Sequence, residues 1–378
     1  MKNILIAIRS IFKKGRHNVM KIVSLGIGLA VGLVLIAKVY FEQSYDDFYP
    51  DRDRVYQVWA KYQQNGGELK DYPQTSGGIA PTMQQQIPEI ETVTRYTSFG
   101  DWTFTMTDTK MKYSGRCIIA DSCFFDILPR PMLIGNAKEV LSTPMYVLVS
   151  SRIAKNIGGD VIGKNFTVDS SPGRTMTIGG VFEEVPENSH SRYDVIVSMA
   201  SAGRFMWEGS PTNMLGNDRY ISYVKLHKGV NPLALEEQVH TFVNSYFPPE
   251  EQQKTGFNIG FSFHELDGLH KELPQVKRMT WILSLLAFAL IFTAVMNYIL
   301  IVISSIVNRS KEVAVHKCYG ASENNIHGMM FGEALVHIVL SLILALLLIL
   351  AFRGTVEELL ATSLDSLLLS NGSLVLLG

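Results

Sequence analysis

Residues Trp281–Gly320 read WILSLLAFALIFTAVMNYILIVISSIVNRSKEVAVHKCYG. No charged residue occurs between Trp281 and Val307. An α-helix needs about 20 apolar residues to cross the hydrocarbon core of a bilayer, so this run is long enough. Arg309, Lys311, Glu312, His316 and Lys317 follow at once, then Gly320. The stretch reads as a membrane helix that delivers a short, mostly basic segment to one membrane face. What that segment touches, and what the helix is joined to at its other end, decides the function.

The composition agrees with a membrane protein that carries a substantial soluble part. Of 378 residues, 47% are hydrophobic and only 18% charged, and the apolar residues are unevenly distributed. The formal net charge of −1 gives no basis for a nucleic-acid partner. Three cysteines make no disulfide framework. Cys117 and Cys123 fall in the soluble region and can pair if it lies in an oxidising compartment, but two unpaired thiols are the simpler reading.

The first 21 residues carry six Lys and Arg and no acid. Ile4, Ile8, Ile11 and Phe12 lie at helical spacing, which predicts an amphipathic helix in the membrane interface. Ile22–Phe41 then supplies a first crossing, with Lys38 near its far end able to snorkel to the interface. The segment Glu42–Asp47 lacks a small-residue cleavage site, so the run reads as an anchor and not a signal peptide. Gly28 and Gly32 form a GxxxG, a weak signal in a membrane helix, where Gly is common.

Residues 42–277 change character: short alternating or β-rich segments stand between turn signals. Strands are predicted at 54–62, 102–107, 116–120, 146–150, 165–169, 175–182, 193–199, 220–227 and 257–264. Helices are predicted at 79–86, at 151–157 with Ser151 as cap, and at 231–246, where Asn231 caps and Pro232 opens the helix. The order suggests an α+β domain with a β-α-β outer frame and a strand-rich insertion. Within it GGDVIGKN (158–165) matches a phosphate-binding GxxxxGK, but Asn165 stands where Ser or Thr should bind magnesium. That motif should also leave a strand and open a helix, and here it leaves a helix and opens a strand.

Gly320 has the look of a C-terminal helix stop, and Ser322 can cap the next helix. That helix is uncharged from Ala334 to Phe352, a third crossing, with Glu333 near its start. An interfacial position for Glu333 is the simpler reading, an ion role the sharper one. Residues 353–369 read as a short amphipathic segment, and 370–378 as the opening of a fourth crossing. The N-terminal basic helix and the Arg309–Lys317 segment both vote for the cytoplasm under the positive-inside rule, which puts residues 42–277 outside.

This layout resembles the MacB/FtsX-type permeases of ABC systems. Residues 308–322 (NRSKEVAVHKCYGAS) look like the family's R-x-x-E-I-G-I-R-K-A-x-G-A loop, with Arg309, Glu312, Lys317, Gly320 and Ala321 on matching positions. His316 stands where the family has Arg, and Val313, Ala314 and Val315 where it has I-G-I. DSCFFDILP (121–129), GVFEEVPENSHSRYD (180–194) and YVKLHKG (223–229) look like its external core domain. The resemblance implies a separate cytoplasmic ABC ATPase subunit, with a homodimer or a second permease half completing the membrane part. Periplasmic or outer-membrane export partners are compatible with it. It also implies a bacterial inner-membrane protein that is not an enzyme and needs no cofactor, and suggests the first half of a longer two-half member.

The loop residues Arg309, Glu312, His316, Lys317 and Gly320 are then expected to couple to the ATPase. Basic flanks ordinarily just anchor a helix at lipid headgroups, but an acid such as Glu312 among them gains nothing there. The alternative is a non-transporting FtsX-type scaffold that regulates a periplasmic partner such as a cell-wall hydrolase. The histidines of the external domain show no metal-ligand spacing and read as packed or solvated.

Overall fold

A computed structural model of the chain describes residues 18–216, 218–318 and 323–369. It separates into a soluble unit, Tyr45–His270, and a helical unit built from the chain on either side of it.

Three helices dominate the helical unit: Asn18–Gln43, Pro274–Cys318 and Glu323–Ala351. Each contains a window long and apolar enough to cross a membrane. The first is the central one, because its glycines let backbones approach. An ideal Cβ on Gly28 would lie 2.3 Å from the Cβ of Ala294, and one on Gly32 would lie 2.4 Å from Cγ1 of Ile291. Both neighbours are on the second helix. Gly26 faces the third helix in the same way, with Leu344 Cδ2 at 2.9 Å. The GxxxG that carries little weight in sequence is thus a contact surface. The opposite faces keep large apolar side chains exposed, among them Leu285, Phe288, Leu300, Leu342, Leu346 and Leu350, as lipid contact requires.

Lys38, near the end of the first helix, has two fixed partners. Its Nζ lies 2.7 Å from Glu42 Oε1, one helical turn on, and donates to Thr362 Oγ1 at 2.7 Å. The Phe41 ring is 5.1 Å below it. The pair fastens the first helix to the segment after the third, where two short helices (Arg353–Leu360 and Leu364–Leu369) meet at Ala361. The amphipathic helix expected over 1–21 falls largely outside the described residues, as does the start of a fourth crossing at 370–378.

The soluble unit is one sheet of 11 strands. In chain order they are β1 (Val55–Gln64), β2 (Lys70–Tyr72), β3 (Ile90–Met106), β4 (Lys112–Ala120), β5 (Met132–Ile134) and β6 (Tyr146–Ser150). Then come β7 (Asn165–Val168), β8 (Ser171–Phe182), β9 (Val195–Ser198), β10 (Ile221–Leu226) and β11 (Phe257–Glu265). The spatial order is β11-β1-β10-β3-β4-β9-β6-β8-β5. The first four form an antiparallel frame. With the helices Ile79–Gln86 after β1 and Glu236–Tyr246 after β10, this is two β-α-β units in ferredoxin-like order. Everything between β3 and β10 is an insertion, which contains the parallel pairs β4/β9 and β6/β8.

The two frame helices pack on one face of the frame. Ile79, Met83, Val239, Phe242 and Val243 bury against Val58, Val93, Val224 and Leu226. Strand β3 joins the frame to the insertion, pairing first with β10 and then with β4. A bulge between Ser98 and Gly100 marks the change, and Gly100 takes φ +73°, a left-handed value that a glycine accepts without strain. Cys117 and Cys123 are free thiols, the first fully buried and the second partly so.

Candidate functional site

The second long helix continues without a break to Cys318. It therefore contains Arg309, Glu312, His316 and Lys317 as well as the apolar window Pro274–Ser304. Spacings of three and seven residues put positions 309, 312 and 316 along one helix face, with 317 next to it. Gly320, the expected stop, lies outside the described residues. Cys318, one residue past Lys317, is exposed.

The helical unit also buries polar groups. Glu333, His337 and Ser341 follow one another at four-residue spacing along the third helix and are all under 6% exposed. Ser341 Oγ donates to the Ile22 carbonyl at 3.1 Å, and the Tyr298 hydroxyl lies 3.4 Å from His337 Nδ1. Asn18 and Lys21 of the first helix are buried too. Polar residues at such sites bind helices together in a membrane. Glu333 is therefore packed against protein.

The root of the soluble unit is the second feature. Tyr45 and His270, its first and last residues, stack ring on ring with centroids 3.4 Å apart and planes 8° apart. Asp46 follows in a left-handed conformation, φ 60°, and is fully buried. Its Oδ1 accepts from Ser189 Oγ at 3.0 Å and from the His190 amide at 3.3 Å. Its Oδ2 is 2.7 Å from His190 Nδ1, and His190 Nε2 is 2.5 Å from the Tyr223 hydroxyl on β10. Ser191 donates to the Tyr96 hydroxyl on β3 at 2.8 Å. Burial pushes the Tyr96, Tyr193 and Tyr223 hydroxyls above their ordinary value, so they keep their protons. The chain thus enters the unit through a carboxylate locked to the 188–191 loop and, through His190, to the frame.

This arrangement resembles an Asp-His-Tyr catalytic constellation, but Asp46 is sealed and Tyr223 is fully buried among Tyr49, Tyr96 and Leu266, as a structural network requires. Two further histidines of the unit have structural partners. His264 stacks on Trp59 at 4.1 Å, and His240 bonds Asn244 at 3.2 Å. Asp194 pairs with Arg152 at 2.6 Å and accepts from the Arg116 amide. No group of three or more His, Cys, Asp or Glu poised for a metal occurs among the described residues. The 158–165 stretch is a turn with φ above +60° at Gly158, Gly159 and Gly163. It leads into β7, and Lys164 Nζ donates to the Gly158 carbonyl at 3.2 Å, so its glycines shape a turn and not a phosphate cradle.

Tyr45 and Asp46 carry no sequence signal of their own, sitting in the polar run EQSYDD (42–47) at the end of an apolar helix. Their role depends on His190 and His270, more than a hundred residues away. A pattern search along the chain has no means to pair them.

Comparison with known proteins follows the same division. A family model described as a MacB-like periplasmic core domain matches residues 20–242, and one described as an FtsX-like permease C-terminal domain matches 284–375. Among solved structures, a domain described as part of a permease protein from Porphyromonas gingivalis is 32% identical. That match has a TM-score of 0.52 and covers 57% of this chain and 91% of the other. The periplasmic region of MacB from Actinobacillus actinomycetemcomitans is 15% identical with TM-score 0.36, over 55% of this chain and 87% of that one. No curated protein matches the chain significantly. A three-helix membrane unit interrupted by this α+β domain, and a core-domain model that matches more than half of the chain, place the protein in the MacB/FtsX-type family of ABC transporter permeases.

Proposed function

We propose that the chain is the permease subunit of an export system that works by mechanotransmission. A separate cytoplasmic ATPase docks on the segment around Arg309, Glu312, His316 and Lys317, with Gly320 ending the helix so that the chain can turn. Closure of the ATPase then moves the soluble unit, which lies in the periplasm with the N-terminus in the cytoplasm. One observation supports this above others. A single helix of 45 residues starts four residues after His270 and includes those four polar positions. At 1.5 Å per residue it is about 68 Å long, more than twice the roughly 30 Å hydrocarbon core. A helix is stiff along its axis, so displacement at one end is delivered to the other.

Charge reversal tests the docking. Glu312→Lys and Lys317→Glu are each expected to cut ATPase co-purification at least tenfold and to abolish export, with the amount of chain in the membrane unchanged. If both properties survive both reversals, the segment only anchors the helix.

The proposed orientation has its own check in the native cysteines. Cys318 is exposed, Cys117 is fully buried, and burial together with the charge of Asp121 raises the Cys123 thiol above its ordinary value. Thiolates are the reactive species, so Cys318 should dominate. A membrane-impermeant maleimide is expected to label intact cells hardly at all and Cys318 once the cytoplasmic face is opened. Labelling of Cys318 in intact cells contradicts the orientation.

A further inference from the structure

The soluble unit has a cleft of about 700 Å³ that no part of the coupling account uses. It lies where β1 ends and β11 begins, lined by Tyr62, Tyr72, Phe247, Phe257, Ile259 and Asp218, among others. Strand β1 leads away from the Tyr45 root and β11 leads back to His270, so the cleft sits at the far end of the frame. Tyr62 stands seven residues after Val55, about 23 Å along β1 at 3.3 Å per residue. Its volume is in the range of ligand sites, not of packing defects.

Three rings form one corner. The centroids of Tyr72 and Phe257 are 5.6 Å and 5.8 Å from that of Tyr62, both tilted by more than 50°. Asp218 is the one carboxylate in the lining. Its oxygens accept hydroxyl hydrogen bonds from Tyr62 at 2.6 Å and Ser76 at 2.5 Å, and among the described residues it makes no ion pair. Burial, and the bond to Asp218, push the Tyr62 hydroxyl up, so it remains a donor. Rings around a fixed carboxylate with no cation of its own suit an ammonium or guanidinium group, which gains from the ring faces and the charge together.

The surroundings suit an extended chain. Strand β2 pairs only with β1 among the described residues, and its three residues are exposed, so its outer backbone edge is open. Such an edge accepts an added strand. Next to the cleft is a smaller one of about 430 Å³ lined by the amides of Asn65, Gln252, Gln253 and Asn258, which can meet peptide groups.

We propose that this cleft is a recognition site for a lysine or arginine side chain carried on an extended polypeptide segment. This goes beyond the coupling account and does not depend on it. The test uses the full chain in lipid nanodiscs and three capped pentapeptides, Val-Thr-Lys-Thr-Val and its arginine and norleucine counterparts, followed by calorimetry. The lysine and arginine peptides are expected to bind at least tenfold more tightly than the norleucine peptide. Asp218→Asn should erase that preference. Tyr72→Ala, at an exposed position that risks little in folding, should weaken the lysine peptide severalfold. Equal binding of the norleucine peptide overturns the proposal, as does unchanged binding by both variants. Capped lysine alone binding as tightly as the pentapeptide overturns the assignment to a polypeptide.

Discussion

Gly28→Leu is expected to destroy the packing of the first two membrane helices. An ideal Cβ at Gly28 already lies 2.3 Å from Ala294 Cβ, and a leucine adds three more carbons in the same direction. Overpacking typically costs about 1–3 kcal/mol and occasionally more where backbone must move. The loss is severe in a membrane because lipid offers no hydrophobic drive to push helices together, so close approach is itself the attraction. Gly32, facing Ile291, is one turn further along the same contact and cannot absorb the shift. The measurement is the melting temperature of the detergent-solubilised chain, alongside its yield from membranes. A loss of about 3 kcal/mol or more is expected. Gly28→Ala should cost less and should be largely restored by Ala294→Gly, which returns the missing space. A Gly28→Leu chain that melts like the unaltered one contradicts the contact.

Asp46→Ala should be the most damaging single change in the soluble unit. It removes the acceptor of the Ser189 hydroxyl, the His190 amide and the His190 ring at once. Breaking a buried charged network by removing one partner costs about 3–5 kcal/mol, because the groups left behind have lost their solvent and their partner. The left-handed backbone at Asp46 adds a penalty, since Asp tolerates that conformation better than Ala. For a unit of this size each kcal/mol moves the melting point by about 2–4 °C, so a fall of roughly 6–20 °C is expected. Asp46→Asn keeps an acceptor oxygen and should lose less. A melt of Asp46→Ala within two degrees or so of the original would show that the network does not hold the root.

Much of the architecture can be read from the chain because its signals are local. Charge-free runs mark the long helices, and Tyr146–Ser150, Ile79–Gln86 and Ser151–Ile157 appear where turn and cap residues predict them. Even there the cap of the last is Ser150, whose hydroxyl accepts from the Ile153 amide, one residue before the expected Ser151. What escapes the sequence depends on distant partners. Only the second half of β3 has a strand pattern. Its first half is obscured by Thr94 and Arg95, polar residues buried because Arg95 reaches Asp121 and the Gly77 and Pro211 carbonyls. The partners of Lys38 are hidden for the same reason: the sequence shows a cation near a helix end, and the fold supplies Glu42 and Thr362. The segment proposed to couple is the reverse case. Its motif is legible and it lies on the long helix, but the partner proposed for it is another chain.

The most direct test therefore starts from Cys318, exposed and one residue past Lys317. A short maleimide–succinimide reagent is attached to Cys318 in native membranes, the chain is purified, and its cross-linked partner and ATP hydrolysis are measured. The account predicts a cross-link from Cys318 to a lysine of an ABC ATPase, ATP hydrolysis in the purified complex, and loss of both in Glu312→Lys. A chain that reaches no ATPase from Cys318, or that keeps both cross-link and hydrolysis with Glu312 reversed, contradicts it.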